Sequence, residues 1–356
     1  MNKHKINLED IEELHLEIGY QCNLRCVMCF QKDYTQKMDK DLWQKKLLPL
    51  YPSLKRLIIQ GGEPTVIKES KEVVALALQE NNNIKFGAMT NGTLFTKYWQ
   101  DLFVEHGFMV NFSLNAAKKE THESININSN FDLVLKNLKA LLELKQSQGS
   151  DVEVSISLVI IEQNLHEVSD FIELAKDLGV NKIRFFFDAS RLPEDVNKVK
   201  KEIDKALGLR EKYKDDLKIE GLLKFYEYYC IKKKQENKHK DKKEDVLPIC
   251  QAPWKNLYVD HYGKVMSCCM ANVILGDLNK TDLKELINNK QAVDFREKMA
   301  KADYSYCLET CLQNVAPDYG VGVKKMRGYF DKFIYDFKQS PKTALKKAWR
   351  KLKQLK

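Results

Sequence analysis

From residue 14 onward the chain alternates short β-rich runs with longer amphipathic stretches, and this alternation limits the fold more than any other feature. LHLEIGY (14–20), LKRLIIQ (54–60), IKFGAMT (84–90), MVNFSLN (109–115), VEVSISLVI (152–160) and KIRFFF (182–187) read as strands. Between them, KESKEVVALALQE, FDLVLKNLKALLELKQ and LHEVSDFIELAKDLG space their apolar residues as helices do; Val168, Phe171, Ile172 and Ala175 are the example in the last. Strand then helix, repeated about six times, predicts an α/β fold with a parallel sheet and right-handed crossovers. Such a sheet can stay open, close as eight strands, or stop at six as a partial barrel.

A length of 356 residues suits about two domains. No apolar run approaches the roughly 20 residues that span a bilayer, and the N-terminus lacks the apolar segment of a secretory signal, so a cytoplasmic location is expected. In a reducing compartment nine cysteines, an odd number, point to metal binding or catalysis rather than disulfides. The net charge of +9 is concentrated in one place: residues 324–356 hold 12 Lys/Arg against 2 Asp, leaving the rest near −1. A general basic field for nucleic acid is therefore not indicated. The strand–helix pattern breaks near residue 190, where a charged helical stretch leads into the lysine-rich run 231–245, and a second region starts at Leu247.

Cys22, Cys26 and Cys29 form C-x3-C-x2-C directly after the first strand, at the sheet edge where α/β folds bind ligands. A zinc site takes four ligands, and the nearest histidine, His15, sits back inside the strand. Three thiolates on one loop suit three corners of a 4Fe–4S cube, leaving the fourth iron open to a small molecule. Gly61-Gly62-Glu63-Pro64 ends the second strand, Thr90-Asn91-Gly92 the third and Ser113-Leu114-Asn115 the fourth.

With these motifs the sequence resembles the radical S-adenosylmethionine (radical SAM) superfamily, whose signature is the same cysteine loop followed by an aromatic residue, here Phe30. The resemblance implies that the amino and carboxylate groups of S-adenosylmethionine chelate the open iron. One electron from the reduced cluster then cleaves the sulfonium bond, and the 5′-deoxyadenosyl radical abstracts a substrate hydrogen. It further implies that Gly61, Gly62, Glu63 and Pro64 meet the methionine amino group, with Thr90 and Asn91 beside them. Ser113 and Asn115 fall near the ribose, and Val159, with Ile160, near adenine. Asn115 stands where relatives carry Asp, and the arginine that often follows downstream is missing from the His122–Asn126 stretch. Asn164 reads as a helix cap.

The late cysteines lie in CQAPW (from Cys250), DHYGKVMSCC (ending at Cys268 and Cys269) and Cys307-x3-Cys311. The second segment reads as a hairpin with a His-Tyr-Gly turn. On the residues alone, zinc held by four cysteines rivals an iron–sulfur cluster. The order of segments, with LGDL between them, resembles the SPASM domain of radical SAM enzymes in its half-sized twitch form. That resemblance implies one auxiliary 4Fe–4S cluster on Cys250, Cys268, Cys307 and Cys311, with Cys269 turned to the other face. The expected organisation is a partial (β/α)6 TIM-like barrel over 1–190, a helical, lysine-rich connection over 191–246, a small α+β SPASM/twitch domain over 247–315, and a basic amphipathic tail over 316–356.

The function expected is hydrogen abstraction from an unactivated carbon, leading to oxidation or another modification of a sugar or cyclitol. A peptide-modifying maturase is the alternative within the class, and a zinc-binding scaffold the alternative outside it. A small-molecule or glycan substrate and a flavodoxin- or ferredoxin-type electron donor are the expected partners. The stripe Leu345, Ala348, Trp349, Leu352 and Leu355, set among lysines and arginines, suits a terminal helix packed back on the protein, and as alternatives an acidic partner or peripheral contact with the inner face of a membrane. Asp188 and Arg184 at the sixth strand are positional candidates only for handling a proton; Asp188 reads first as a cap, and neither is assigned a catalytic role.

Overall fold

The computed structural model describes residues 4–231, 250–301 and 303–307. The basic tail, the lysine-rich run and Cys311 lie outside the described residues. The six expected strands form as β1 (Glu13–Glu17), β2 (Arg56–Gln60), β3 (Lys85–Thr90), β4 (Gly107–Ser113), β5 (Glu153–Ile160) and β6 (Lys182–Phe187). They pair in sequence order and all in parallel. Crossover helices α1 (Glu69–Glu80), α2 (Lys97–His106), α3 (Lys119–Ile125), α4 (Phe131–Gln148), α5 (Val168–Leu178) and α6 (Val196–Lys212) complete a partial TIM-like barrel. Between β1 and β2 the chain makes a π-helical turn and a 3-10 turn instead of an α-helix. Pro49 and Pro52 interrupt that stretch, yet Trp43 and Tyr51 still anchor it in the core.

The sheet outgrows the six expected strands on both sides. Beyond β6 a three-residue strand, β7 (Lys218–Glu220), pairs in parallel past residue 190. At the other edge β8 (Asn256–Val259) pairs in parallel with β1, then turns through residues 260–263 into β9 (Lys264–Met266) and β10 (Gly276–Asp277). The expected hairpin exists, but it belongs to the same sheet as the barrel.

The two faces of the sheet differ in chemistry. Leu14, Leu16, Leu57, Ile59, Phe86, Val110, Phe112, Ile156 and Leu158 face the helices in one continuous apolar core, each contributing roughly 1.5–3 kcal/mol of burial. On the other face stand Glu13, His15 and Glu17 of β1, Gln60 of β2, Asn111 and Ser113 of β4, and Ser155 and Ser157 of β5, in register across the strands. Asn111 donates to Ser157 Oγ at 2.8 Å, and Ser155 Oγ donates to Asn111 Oδ1 at 3.0 Å. This face is mostly polar, with Ile58 and Met109 as apolar members, and Asn111, Ser155 and Ser157 are buried within it.

Candidate functional site

The loop after β1 carries Cys22, Cys26 and Cys29, all half-buried and all free thiols. Backbone bonds fix it from two sides: Arg25 and Val27 N–H donate to Ile127 and Ile125 C=O, at 3.0 and 2.9 Å, and Cys29 N–H donates to Cys26 C=O at 3.0 Å. The thiols sit close enough to disturb one another. Burial pushes the Cys26 thiol up to about 12, helped by Cys22 and Cys29; burial, Glu63 and Cys29 raise Cys22. Three such thiolates persist together only beside a compensating cation, so the donor set fits a cationic cluster. Among the described residues no three His, Cys, Asp or Glu side chains converge as a site for a single ion. A cube binds each thiolate at a different iron and needs no such convergence.

Gly61 and Gly62 press against this loop. Gly62 N–H donates to Gly19 C=O and Glu63 N–H to Gln21 C=O, both at 2.8 Å. A Cβ on Gly61 would lie 2.2 Å from Gly19 O, and one on Gly62 2.2 Å from Gln21 O, so both positions exclude a side chain. The close approach they permit is thus to the cysteine loop itself. Glu63 is buried at 1 % exposure, and its carboxylate is already engaged. Oε1 accepts from Thr65 N–H (3.1 Å), Thr65 Oγ1 (2.7 Å) and Thr90 Oγ1 (2.7 Å), and Oε2 accepts from Asn91 N–H at 2.6 Å. Burial raises its carboxyl against those bonds. In this arrangement Glu63 clamps the ends of β2 and β3 together, where the motif suggested contact with an ammonium group. Pro64 is buried beside it.

Thr90 and Asn91 are buried at the end of β3. Asn91 Nδ2 donates to Asn23 Oδ1 at 2.9 Å and reaches Cys22 Sγ at 3.9 Å; Asn23 Nδ2 donates to Thr93 Oγ1 at 2.8 Å. Asn137 of α4 holds the same turn by donating to Gly92 C=O at 2.8 Å. Asn23, Thr93 and Asn137 have no motif of their own. Only the position of Asn23 beside Cys22 marked one of them in the sequence.

Farther along the sheet edge, Ser113 is half-buried and Asn115 buried in the left-handed region (φ 63°). Asn115 accepts from Val159 N–H at 3.1 Å and donates to Asn126 Oδ1 at 3.0 Å, so its amide ties β4 to β5. Asn164 makes no capping bond: it donates to Asn115 C=O and Val159 C=O, at 2.8 and 2.9 Å. The helix-cap reading is corrected to a brace between two strand ends. Val159 is half-exposed on the polar side, whereas Ile160 is fully in the core. His122, buried, bonds Leu114 C=O through Nδ1 (2.6 Å) and Ser129 Oγ through Nε2 (2.8 Å), and burial lowers its pKa. Phe30 stands 78 % exposed, edge-on to Tyr20. Asp188 caps the turn Ala189–Arg191, and Arg184 pairs with Glu153 at 3.2 Å.

The hairpin tip docks beside the same loop. Glu17 of β1 accepts from Tyr258 OH of β8 and pairs with His261 Nδ1, both at 2.5 Å, and the His261 ring lies 4.2 Å from Tyr20 between centroids. These contacts join residues more than 240 positions apart and left no periodic signal.

The late cysteines gather separately. Buried Cys307 packs with Ala271, Phe295 and Met299, and half-buried Cys250 and Cys268 pack against that group. Ala271 and Cys307 form an isolated antiparallel bridge, and Tyr304, raised by burial, feels both Cys250 and Cys307. Cys269 is exposed and is not among the residues packed against this group; desolvation raises its thiol, with a smaller contribution from the Glu13 carboxylate.

Residues 16–175 match the radical SAM superfamily, and residues 250–312 match SPASM, an iron–sulfur cluster-binding domain. A probable GTP 3′,8-cyclase of Saccharolobus solfataricus is 27% identical over 179 residues, 49% of this chain and 56% of that protein. A tungsten-containing aldehyde ferredoxin oxidoreductase cofactor-modifying protein of Pyrococcus furiosus is 27% identical over 194 residues, 52% and 54% of the two chains. The chain therefore spans about half the length of these curated relatives. Among solved structures, Streptococcus suis SuiB bound to S-adenosylmethionine aligns with TM-score 0.57 at 15% identity, over 83% of this chain and 69% of that one. The anSMEcpe structure with bound AdoMet aligns with TM-score 0.58 at 18% identity, over 94% and 96%. At these identities the structures share the fold. The iron–sulfur match replaces zinc as the metal implied for the late cysteines.

Proposed function

The chain belongs to the radical SAM superfamily and ends its matched region in a SPASM iron–sulfur domain; from that premise we propose that it takes a hydrogen atom from an unactivated carbon of a small polyhydroxylated substrate of sugar or cyclitol type. Cys22, Cys26 and Cys29 would hold the S-adenosylmethionine cluster, and Cys250, Cys268, Cys307 and Cys311 the auxiliary one. When bound, the first cluster would supply the electron for reductive cleavage of S-adenosylmethionine and so the radical chemistry of hydrogen abstraction.

The chain's own residues have the remaining tasks. Glu63, through Thr90 and Asn91, keeps the β3 end against the cysteine loop, and Asn91 and Asn23 brace Cys22. Half-buried Ser113 and Val159 remain accessible for ribose and adenine. The observation that carries the substrate class is the rim of the polar sheet face, where half-buried Gln60 and Ser113 are accessible to hydroxyl groups, while Asn111, Ser155 and Ser157 beneath them are buried and bonded to one another.

The test is anaerobic reconstitution with dithionite or a flavodoxin donor, followed by measurement of 5′-deoxyadenosine with a panel of perdeuterated polyols. Deuterium appearing in 5′-deoxyadenosine with a polyol supports the reading. Peptide modification is the second reading, drawn from SuiB bound to its precursor peptide SuiA, with the shared fold alone behind it. Deuterium arriving only from a labelled peptide would favour it and overturn the polyol substrate.

A further inference from the structure

One cavity of about 540 Å³ lies away from the cysteine loop, where the sheet ends at β7. Arg184 of β6, Arg210 near the end of α6, Lys214 in the turn after it, Lys218 and Glu220 of β7, and Lys224 just beyond line it. Five cations thus surround one carboxylate. That carboxylate is already shared: Glu220 pairs with Lys218 at 2.9 Å, Lys182 at 3.6 Å and Arg184 at 3.7 Å. Leaving Lys224 aside and counting the paired neighbours Lys182, Glu153 and Glu211 as well, the cations still exceed the carboxylates by two. Arg210 has no ion-pair partner among the described residues, and Arg184 Nε, which faces Glu220 at 3.7 Å, makes no hydrogen bond.

A concave site with unbalanced positive charge attracts a multivalent anion, and guanidinium groups match phosphate oxygens in a planar fork. The volume suits a drug-sized molecule, within the roughly 300–1,000 Å³ of ligand sites. The cavity also borders the polar face of the sheet. In register, Arg184 stands beside Ser157, and Phe186, another lining residue, beside Val159. We propose that this cavity holds the phosphate end of a small phosphorylated substrate. The proposal rests on the radical SAM reading above and narrows its substrate to phosphate-bearing molecules.

Calorimetric titration of the full, anaerobically reconstituted chain with inorganic pyrophosphate, at fixed ionic strength, tests it. One saturable site is expected, weakened tenfold or more by Arg210→Gln with Lys214→Gln. The exposed pair Lys136→Gln with Lys139→Gln on α4 removes the same charge elsewhere and should leave binding unchanged. No saturable site, equal weakening by both pairs, or tighter binding of a single-stranded RNA oligonucleotide at the same residues would overturn the proposal. 5′-Deoxyadenosine release, measured on the same preparations, separates the two claims. A chain that cleaves S-adenosylmethionine without binding pyrophosphate loses only the cavity; one that binds pyrophosphate without cleaving S-adenosylmethionine loses the enzymatic reading.

Discussion

Replacing Glu63 by glutamine tests whether the clamp at the β2 and β3 ends is structural. The carboxylate accepts four hydrogen bonds, two from backbone N–H groups on opposite oxygens. The threonine hydroxyls can turn to accept from an amide NH2, but a backbone N–H cannot. In either orientation of the introduced amide, Asn91 N–H or Thr65 N–H then faces a donor. An orphaned buried N–H costs about 1–3 kcal/mol, and losing the charge on the remaining bonds adds to it. Opposing this, the amide escapes part of the desolvation that raises the Glu63 carboxyl. The net expected loss is about 2 kcal/mol, a factor of roughly 30 in the folding equilibrium. Urea unfolding of Glu63→Gln and the wild type reads it as a lowered midpoint with unchanged slope. S-adenosylmethionine affinity should fall only in step with the disorder of the loop. An unchanged midpoint with abolished cosubstrate binding would refute the clamp and return Glu63 to direct contact with the methionine ammonium.

Three further outcomes follow from the same geometry. Gly62→Ala must push its Cβ into Gln21 O, a backbone atom that cannot swing away, so iron incorporation at the first cluster should drop several-fold in a ferrozine assay. His122 is buried with its pKa below the usual 6.5, so the unfolded chain binds its proton first as the pH falls. Its contribution is present above about pH 6.5 and lost below it: the wild-type Tm should fall between pH 6.5 and 5 more steeply than that of His122→Gln. Cys268→Ser should lower reconstituted iron from about 8 to about 4 per chain, whereas Cys269→Ser should leave it unchanged; the reverse pattern would show that Cys269 is the ligand.

The six barrel strands and the cysteine groups were legible because each leaves a local mark: alternating apolar runs, a thiol spacing, glycines at strand ends. β7 left none. Its three residues are two charged groups around one isoleucine, and in sequence they look like exposed turn; only pairing with Lys182 and Arg184 makes them a strand. The partners of Glu63 and Asn164 were illegible for a related reason. A motif fixes where a side chain begins, while its partners, Asn91 and Asn115, come from other strands. The Glu17, Tyr258 and His261 joint is the extreme case, since a polar contact across the whole chain has no period to betray it.

β1 is bonded on both edges, to β2 and to β8. Its second neighbour arrives late: Glu13 and Asn256, side by side in the sheet, are 243 residues apart in the chain. During synthesis β1 therefore waits with one edge open, a template for wrong pairing, until nearly all the described chain has emerged. Closing so distant a contact is slow, and the loop bearing Cys22, Cys26 and Cys29 hangs directly from the waiting strand. Metal delivery to that loop should thus be a post-translational event gated by the last strands to be made, and chains cut short before residue 256 should accumulate as aggregates rather than as cluster-bearing barrels.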